Sequence, residues 1–165
     1  MFADDCLLYR EIQSMNDTKI LQDDLDSLQT WQQDCLMEFN SSKCEAITFA
    51  KKTKPVKAEY RLHGVIRTAV TSGKYLGVHL SRKRSWNTHV DITTKKAAQS
   101  LNFIRINFSC CPARIREQCY KTLVGPQLEY ASSVWDNTVK RNTTKVEAVQ
   151  RSAARFTCMP SQAAQ

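Results

Sequence analysis

From residue 86 onward the apolar residues recur with a helical period, and this constrains the fold more than any other feature of the chain. Val90, Thr94, Ala97, Leu101, Ile104 and Phe108 follow one another at steps of 4, 3, 4, 3 and 4. Such spacing lines one face of a helix. Thr88 and Asp91, just before the stripe, have the spacing of a capping box. Pro112 is placed to open a second helix at its first turn, with Ile115, Cys119 and Leu123 inward. Gly125-Pro126 divides that helix from one carrying Leu128, Ala131, Val134 and Trp135. Thr144 and Glu147 are spaced to begin a last helix, with Val146, Val149, Ala153 and Phe156 on one stripe. The pattern predicts a bundle of three or four helices over residues 85–157 and a patternless tail over 158–165.

Upstream of residue 85 strands and helices mix. Phe2-Ala3-Asp4-Asp5-Cys6-Leu7-Leu8-Tyr9 sets two apolar arms around an acidic pair and reads as a β-hairpin with the acids at its tip. Ser14 and Asp17 offer a capping box, and Leu21, Leu25, Leu28, Cys35 and Phe39 then recur near a helical period. A helix is expected over about residues 15–38, ended by Asn40-Ser41-Ser42. Residues 44–50 alternate like a half-buried strand, and residues 60–66 and 74–80 each read as one further strand. Gly73 and Gly77 are expected to mark a turn and a close backbone approach. Glycines and prolines number only 4 each in 165 residues, which favours long helices over a many-stranded sandwich. The expected fold class is therefore α+β: a small mixed part over residues 1–84, an all-α part over 85–157, and Ser81–Ser85 between them as connector.

The net charge of +8 conceals a strong asymmetry. Residues 1–50 carry 3 Lys+Arg against 10 Asp+Glu, while residues 51–165 carry 21 against 6, a net of +15. So basic a segment points to a polyanion, nucleic acid above all; a merely solvated surface is the plain alternative. The 7 cysteines show no C-x-x-C spacing and His63, His79 and His89 stand apart, so the signature of a zinc site is missing. Reduced cysteines serving as small core residues of an intracellular protein is the simpler reading. No apolar run approaches the roughly 18–20 residues of a membrane span, and acidic residues at Asp4 and Asp5 do not suit a secretory leader. A membrane partner is not expected. The Lys51–Lys57 run reads as a basic loop, and Trp31, Trp86 and Trp135 as packing anchors.

An adjacent pair of carboxylates on a rigid turn suits a hard cation, because Mg²⁺ prefers oxygen ligands. On spacing alone, Asp4-Asp5 reads more simply as a solvated turn than as a metal site. Its surroundings carry a resemblance. Phe2-Ala3-Asp4-Asp5 followed by Cys-Leu-Leu-Tyr resembles the aromatic-Ala-Asp-Asp motif of reverse transcriptases. Trp31, the run from Phe39 to Cys44, Lys74 to Val78, Ser85 to His89, Tyr120 to Val124, Pro126 to Trp135 and Val149 to Arg155 follow in the order of the non-LTR retrotransposon branch, the LINE or jockey-like enzymes. The resemblance runs from residue 2 to about residue 157.

The resemblance implies the late palm and the thumb of an RNA-directed DNA polymerase. It makes Asp4 and Asp5 the catalytic Mg²⁺ ligands and Lys43 a proton donor to the departing pyrophosphate, a role that competes with a plain helix-end lysine. It makes Lys74, Tyr75, Leu76, Gly77 and Val78 the primer grip, a hairpin that steers the primer end. The helical part becomes the thumb, with Lys95, Lys96, Arg105, Arg114, Arg116, Lys121, Arg151 and Arg155 as candidate phosphate contacts. The implied partners are an RNA template, a DNA primer and nucleoside triphosphates, and the implied location is intracellular, in nucleus and cytoplasm. The family's third catalytic carboxylate and its fingers come from sequence upstream of this hairpin, so this stretch is expected to be inactive alone. Two other readings stand beside it: a non-catalytic nucleic-acid-binding fragment, and a non-functional pseudogene product.

Overall fold

The computed structural model describes residues 5–50, 56, 58–67, 69–136 and 139–159, apart from the side chain of Ser41. It is a mixture of helices and small β-ladders, and the chain divides into two compact units, Met1–Ser85 and Trp86–Gln165. Among the described residues no helix is long and apolar enough to cross a membrane.

The first unit is built around helix α1 (Met15–Asp34). Its start is fixed by Asp17. The Asp17 carboxylate accepts from the Ser14 hydroxyl and the Ser14 N–H, both at 2.8 Å, and from the Gln13 N–H at 3.1 Å. The Ser14 hydroxyl bond foremost, then these backbone donors, hold its pKa below the usual carboxylate value. The helix stops four residues before the expected end. Leu36 enters the left-handed region (φ 52°), and the N–H groups of Leu36 and Met37 bond back to the carbonyls of Gln33 and Gln32 at 3.2 and 3.1 Å. This is a Schellman closure, usually made by glycine; here Leu36 makes it, 95% exposed. The apolar period continues past the point where the backbone leaves the helix. A 3₁₀ turn at Ser41–Lys43 follows.

Among the described residues, three two-stranded ladders complete this unit. Strand β1 (Ala46–Ile47) pairs in parallel with β4 (Ala69–Val70). Strands β2 (Tyr60–Leu62) and β3 (Val65–Arg67) form a hairpin, and β5 (Ser72–Tyr75) and β6 (Val78–Ser81) form another. Each of the two segments read as a single strand is thus a strand–turn–strand. Both turns are two residues long with positive φ at each: His63 (52°) and Gly64 (72°), Leu76 (44°) and Gly77 (80°). That is the requirement of a type I′ turn. At Gly73 the close approach is real, since a Cβ there would sit 2.7 Å from Glu45 Oε2 and 2.8 Å from Ile47 Cδ1.

The expected hairpin around Asp4-Asp5 is only partly visible. Residues 1–4 lie outside the described residues, as do 51–55 and 57 of the basic run. Asp5 makes an isolated bridge and Cys6–Tyr9 is not a strand. Leu7, Leu8 and Tyr9 are exposed, Tyr9 the most of the three. All seven cysteines are free, as expected of reduced thiols, but Cys6, Cys35, Cys110 and Cys158 are exposed rather than core residues.

Glutamines of α1 take the place of a neighbouring strand for β2. Gln22 Nε2 donates to the Arg61 carbonyl and its Oε1 accepts from the Arg61 N–H, both at 2.9 Å. Gln29 Oε1 accepts the His63 N–H at 2.7 Å, and Gln32 Oε1 lies 3.1 Å from His63 Nε2. An amide side chain presents the same donor–acceptor pair as a peptide group, so it can satisfy an open strand edge.

The second unit is helical throughout its described residues. Helix α2 (Asn87–Asn107) is its spine, joined by α3 (Ala113–Leu123), α4 (Gly125–Glu129), α5 (Ser132–Trp135) and α6 (Lys140–Cys158). Ala97, Leu101 and Ile104 of α2 meet Val124 and Leu128 from the α3–α4 region and Val149, Ala153 and Phe156 of α6. A second cluster packs His89, 3% exposed, between Trp86 and Trp135, with ring centroids 6.4 and 5.2 Å away. Beside it the buried Asn142 donates to Asn87 Oδ1 at 2.9 Å.

Several helix boundaries differ from the sequence pattern. Helix α2 starts before Thr88, so Thr88 cannot be its cap and Asp91 instead pairs with Lys145 of α6. Pro112 is the N-cap of α3 rather than its first helical residue. Ile115 and Leu123 are exposed, and α3 turns Arg116 inward in place of its neighbour Ile115. The third expected helix is two short ones, α4 and α5, separated at Ala131 (φ 52°), which leaves Val134 exposed. Helix α6 begins at Lys140; Thr144 is inside it and bonds the Lys140 carbonyl at 2.8 Å.

The glutamine pairing carries a test. Replacing Gln22 with Ala removes two hydrogen bonds to the backbone of one residue, Arg61, at about 0.5–1.5 kcal/mol each. Chemical denaturation should show a loss of about 1–3 kcal/mol, and the Arg61 amide should exchange with solvent faster than in the parent chain.

Candidate nucleic-acid interface

The charge excess is distributed unevenly along the chain. Residues 51–85 hold 10 Lys+Arg against 1 Asp+Glu, net +9; residues 86–165 hold 11 against 5, net +6. The larger part of the excess therefore precedes the helical unit.

Within the helical unit the basic side chains divide by environment. Lys95 and Lys96 on α2 and Arg114 on α3 are exposed. Lys121 is exposed and pairs with Glu117 at 2.6 Å, one turn away; hydrogen bonding and charge from Lys121 hold the Glu117 pKa low. On α6, Arg151 lies 3.8 Å from Glu147 and Arg155 is exposed. Exposed pairs of this kind are worth well under about 1 kcal/mol and exchange readily for phosphate.

Arg105 and Arg116 are different, and the phosphate-contact reading does not fit them. Arg105 is half-buried, and its Nη2 donates to the Ser152 carbonyl and hydroxyl at 2.8 Å. Arg116 is 2% exposed, and its Nη2 donates to the Met159 carbonyl just past α6. The two guanidinium carbons stand 5.9 and 5.3 Å from the centroid of the Phe156 ring. That distance is within reach of cation–π attraction. Both arginines hold α6 in place, Arg116 also setting a positive charge at the carbonyl end of that helix.

Two exposed basic residues were not singled out by the sequence pattern. Lys140 and Arg141 form the first turn of α6. The pattern began that helix at Thr144, which hid them. Lys140, Arg151 and Arg155 share the face of α6 opposite its buried stripe of Asn142, Val149, Ala153 and Phe156. The result is a helix with an apolar inner face and a basic outer one.

The remaining candidates lie in the first unit. Lys74 to Val78 form the tip of the β5–β6 hairpin, with Lys74 exposed, Tyr75 half-buried and Val78 buried. Lys43 ends the 3₁₀ turn and is exposed. Asp4 lies outside the described residues, and Asp5 is exposed. Among the described residues no hydrogen bond or ion pair joins Lys43 to Asp5, and no three His, Cys, Asp or Glu side chains gather where they could hold a metal ion. Mg²⁺ therefore has no complete ligand set among them.

Comparison with known proteins adds what the geometry leaves open. The probable RNA-directed DNA polymerase from transposon BS of Drosophila melanogaster is 28% identical over 159 residues, covering 93% of this chain and 18% of that protein. The RNA-directed DNA polymerase from mobile element jockey, also of Drosophila melanogaster, is 27% identical over 160 residues, 93% of this chain and 17% of its own length. The chain is a relative of the LINE-type reverse transcriptases. The probable RNA-directed DNA polymerase from transposon X-element is similar at 26% over 159 residues. The chain spans about a sixth of the length of these curated relatives. No family model matches it, and no solved structure does.

The division of arginines among the helices of this chain predicts two separable phenotypes. Arg116→Met should leave affinity for a nucleic-acid duplex unchanged, because a side chain 2% exposed cannot reach phosphate. Lys140→Glu combined with Arg151→Glu and Arg155→Glu should abolish most of that affinity while leaving the melting temperature nearly constant. Fluorescence anisotropy and thermal denaturation on the same preparations check both.

Proposed function

We propose that this chain supplies the late palm and the thumb of an RNA-directed DNA polymerase of a non-LTR retrotransposon. The helical unit is the thumb, and the outer face of α6 holds the template–primer duplex by its phosphates. The single observation that carries this is the segregation on α6: Lys140, Arg151 and Arg155 lie opposite a buried stripe, in a chain related along 93% of its length to RNA-directed DNA polymerases. Phosphate contacts fix register and orientation without reading bases, which suits an enzyme that must copy any sequence.

In this reading the β5–β6 tip, Lys74 to Val78, is the primer grip. A type I′ hairpin is short and stiff, so it can set the position of a primer end better than a loop. Asp4 and Asp5 contribute carboxylates to a Mg²⁺ site in the complete enzyme, where the metal would stabilise charge on the nucleotide phosphates. Lys43 stands as the proton donor to pyrophosphate. RNA template, DNA primer and nucleoside triphosphates are the partners, and the nucleus and cytoplasm the places of action.

Salt dependence tests the reading. With about four to six phosphate contacts, affinity for an RNA–DNA hybrid should fall by about 10²–10³ between 50 and 200 mM salt. The fall should be the same for unrelated sequences. A folded chain that shows no binding at low salt, or that prefers one sequence strongly, would count against a phosphate-tracking thumb. The 165-residue chain alone should not extend a primer with Mg²⁺ and nucleotides. Extension above an Asp4→Ala control would show that it carries a complete active site.

A further inference from the structure

The two cysteines at the α2–α3 corner take no part in the function proposed above. Cys110 and Cys111 are adjacent, both are free, and they sit in the short connection between Asn107 and Ala113. The Cys111 N–H bonds the Phe108 carbonyl at 3.2 Å and closes a turn, and Pro112 then fixes the entry to α3. Cys110 is exposed and Cys111 is half-buried. The other five cysteines, Cys6, Cys35, Cys44, Cys119 and Cys158, have no cysteine within several residues in sequence.

Adjacent thiols are forced together, but they are a poor disulfide. Consecutive Cα atoms stand about 3.8 Å apart across a trans peptide. Unstrained disulfides span about 4.4–6.8 Å between Cα atoms. Closing the bond between neighbours therefore strains the peptide and makes the product easily reduced. A larger bridging atom removes that conflict, because it holds the two sulfurs apart while bonding both. Soft centres are the ones thiolate sulfur prefers.

We propose that Cys110 and Cys111 form a two-thiol site that takes one soft, thiophilic centre, of the class of trivalent arsenicals, in preference to closing into a disulfide. For an arsenoxide the step balances without an oxidant. Two As–S bonds form, the As–O bond breaks, and the oxygen leaves as water with both thiol protons. Arsenic stays trivalent. The pair sits in a short connection between two helices, with Cys110 exposed and Cys111 half-buried, so neither residue has to be dragged from a fully buried core.

The probe is phenylarsine oxide added to the reduced full-length chain with an excess of monothiol, which strips singly bonded adducts but not a chelate. The expected product is one arsenical per chain by intact mass, with free thiols falling from seven to five. Cys110→Ser and Cys111→Ser should each lose the adduct, while Cys35→Ser and Cys158→Ser should keep it. Circular dichroism confirms that each variant is folded, and dithiol should release the arsenical from the parent chain. Capture that survives in the Cys110→Ser variant would overturn the proposal, as would a folded parent chain that takes no arsenical. Ready closure of the pair into a disulfide that monothiol fails to reopen would overturn it too. None of these results bears on nucleic-acid binding, so the two readings stand or fall separately.

Discussion

The helical unit depends on the burial of one face of α2. Val90, Ala97, Leu101 and Ile104 are almost wholly removed from water, and the helices around them contribute the residues that cover them. An isolated helix of about 20 residues is marginal in water, so this face must be covered for α2 to persist. Helices α3 and α4 take one side of it and α6 another, and Phe156 is where the coverings meet. Truncating a buried phenylalanine costs about 3–5 kcal/mol, comparable with the whole stability of a small domain. Clamping that ring between two guanidinium groups explains how a chain so rich in cations keeps some of them inside.

The first unit solves a different problem. Its ladders are only two strands wide, and a two-stranded ladder is marginal alone. The unit compensates by lending helix side chains to strand backbone. Gln22 makes a peptide-like pair with Arg61 and Gln29 accepts the His63 N–H, so β2 is flanked by a helix acting as a strand edge. Each bond adds a modest net gain, and together they fix the position of β2 against the helix.

What the sequence disclosed follows from where the determinants are local. The stripe from Val90 to Ile104 is written in the spacing, and the structure buries it. The capping at Ser14 and Asp17 is likewise local, and it is present. Four of the misread boundaries share one cause, a backbone reversal without its usual residue. Leu36 closes α1 in a conformation that glycine normally takes. His63 and Leu76 occupy the first place of type I′ turns, where Asn or Asp would have signalled a hairpin. Ala131 does the same between α4 and α5. Thr88-Asp91 and Thr144-Glu147 have capping-box spacing but lie inside helices, since spacing alone cannot say where the first turn begins. Among the site residues, charge was legible and burial was not. Nothing in the composition separates Arg116, which faces inward, from Arg114, two residues earlier, which faces out.

That last pair shows how packing and exposed charge are distributed over the bundle. On α3 they alternate along one helix, Arg116 serving the fold and Arg114 facing water. On α6 the two roles fall on opposite faces: Asn142, Val149, Ala153 and Phe156 inward, Lys140, Arg151 and Arg155 outward. A helix so divided can lose its outer charges without opening the core, because exposed cations add little to stability. Its charge can therefore vary without cost to packing, while the inner stripe answers to packing alone, because a densely filled interior feels the gain or loss of a single methylene and a solvated cation does not.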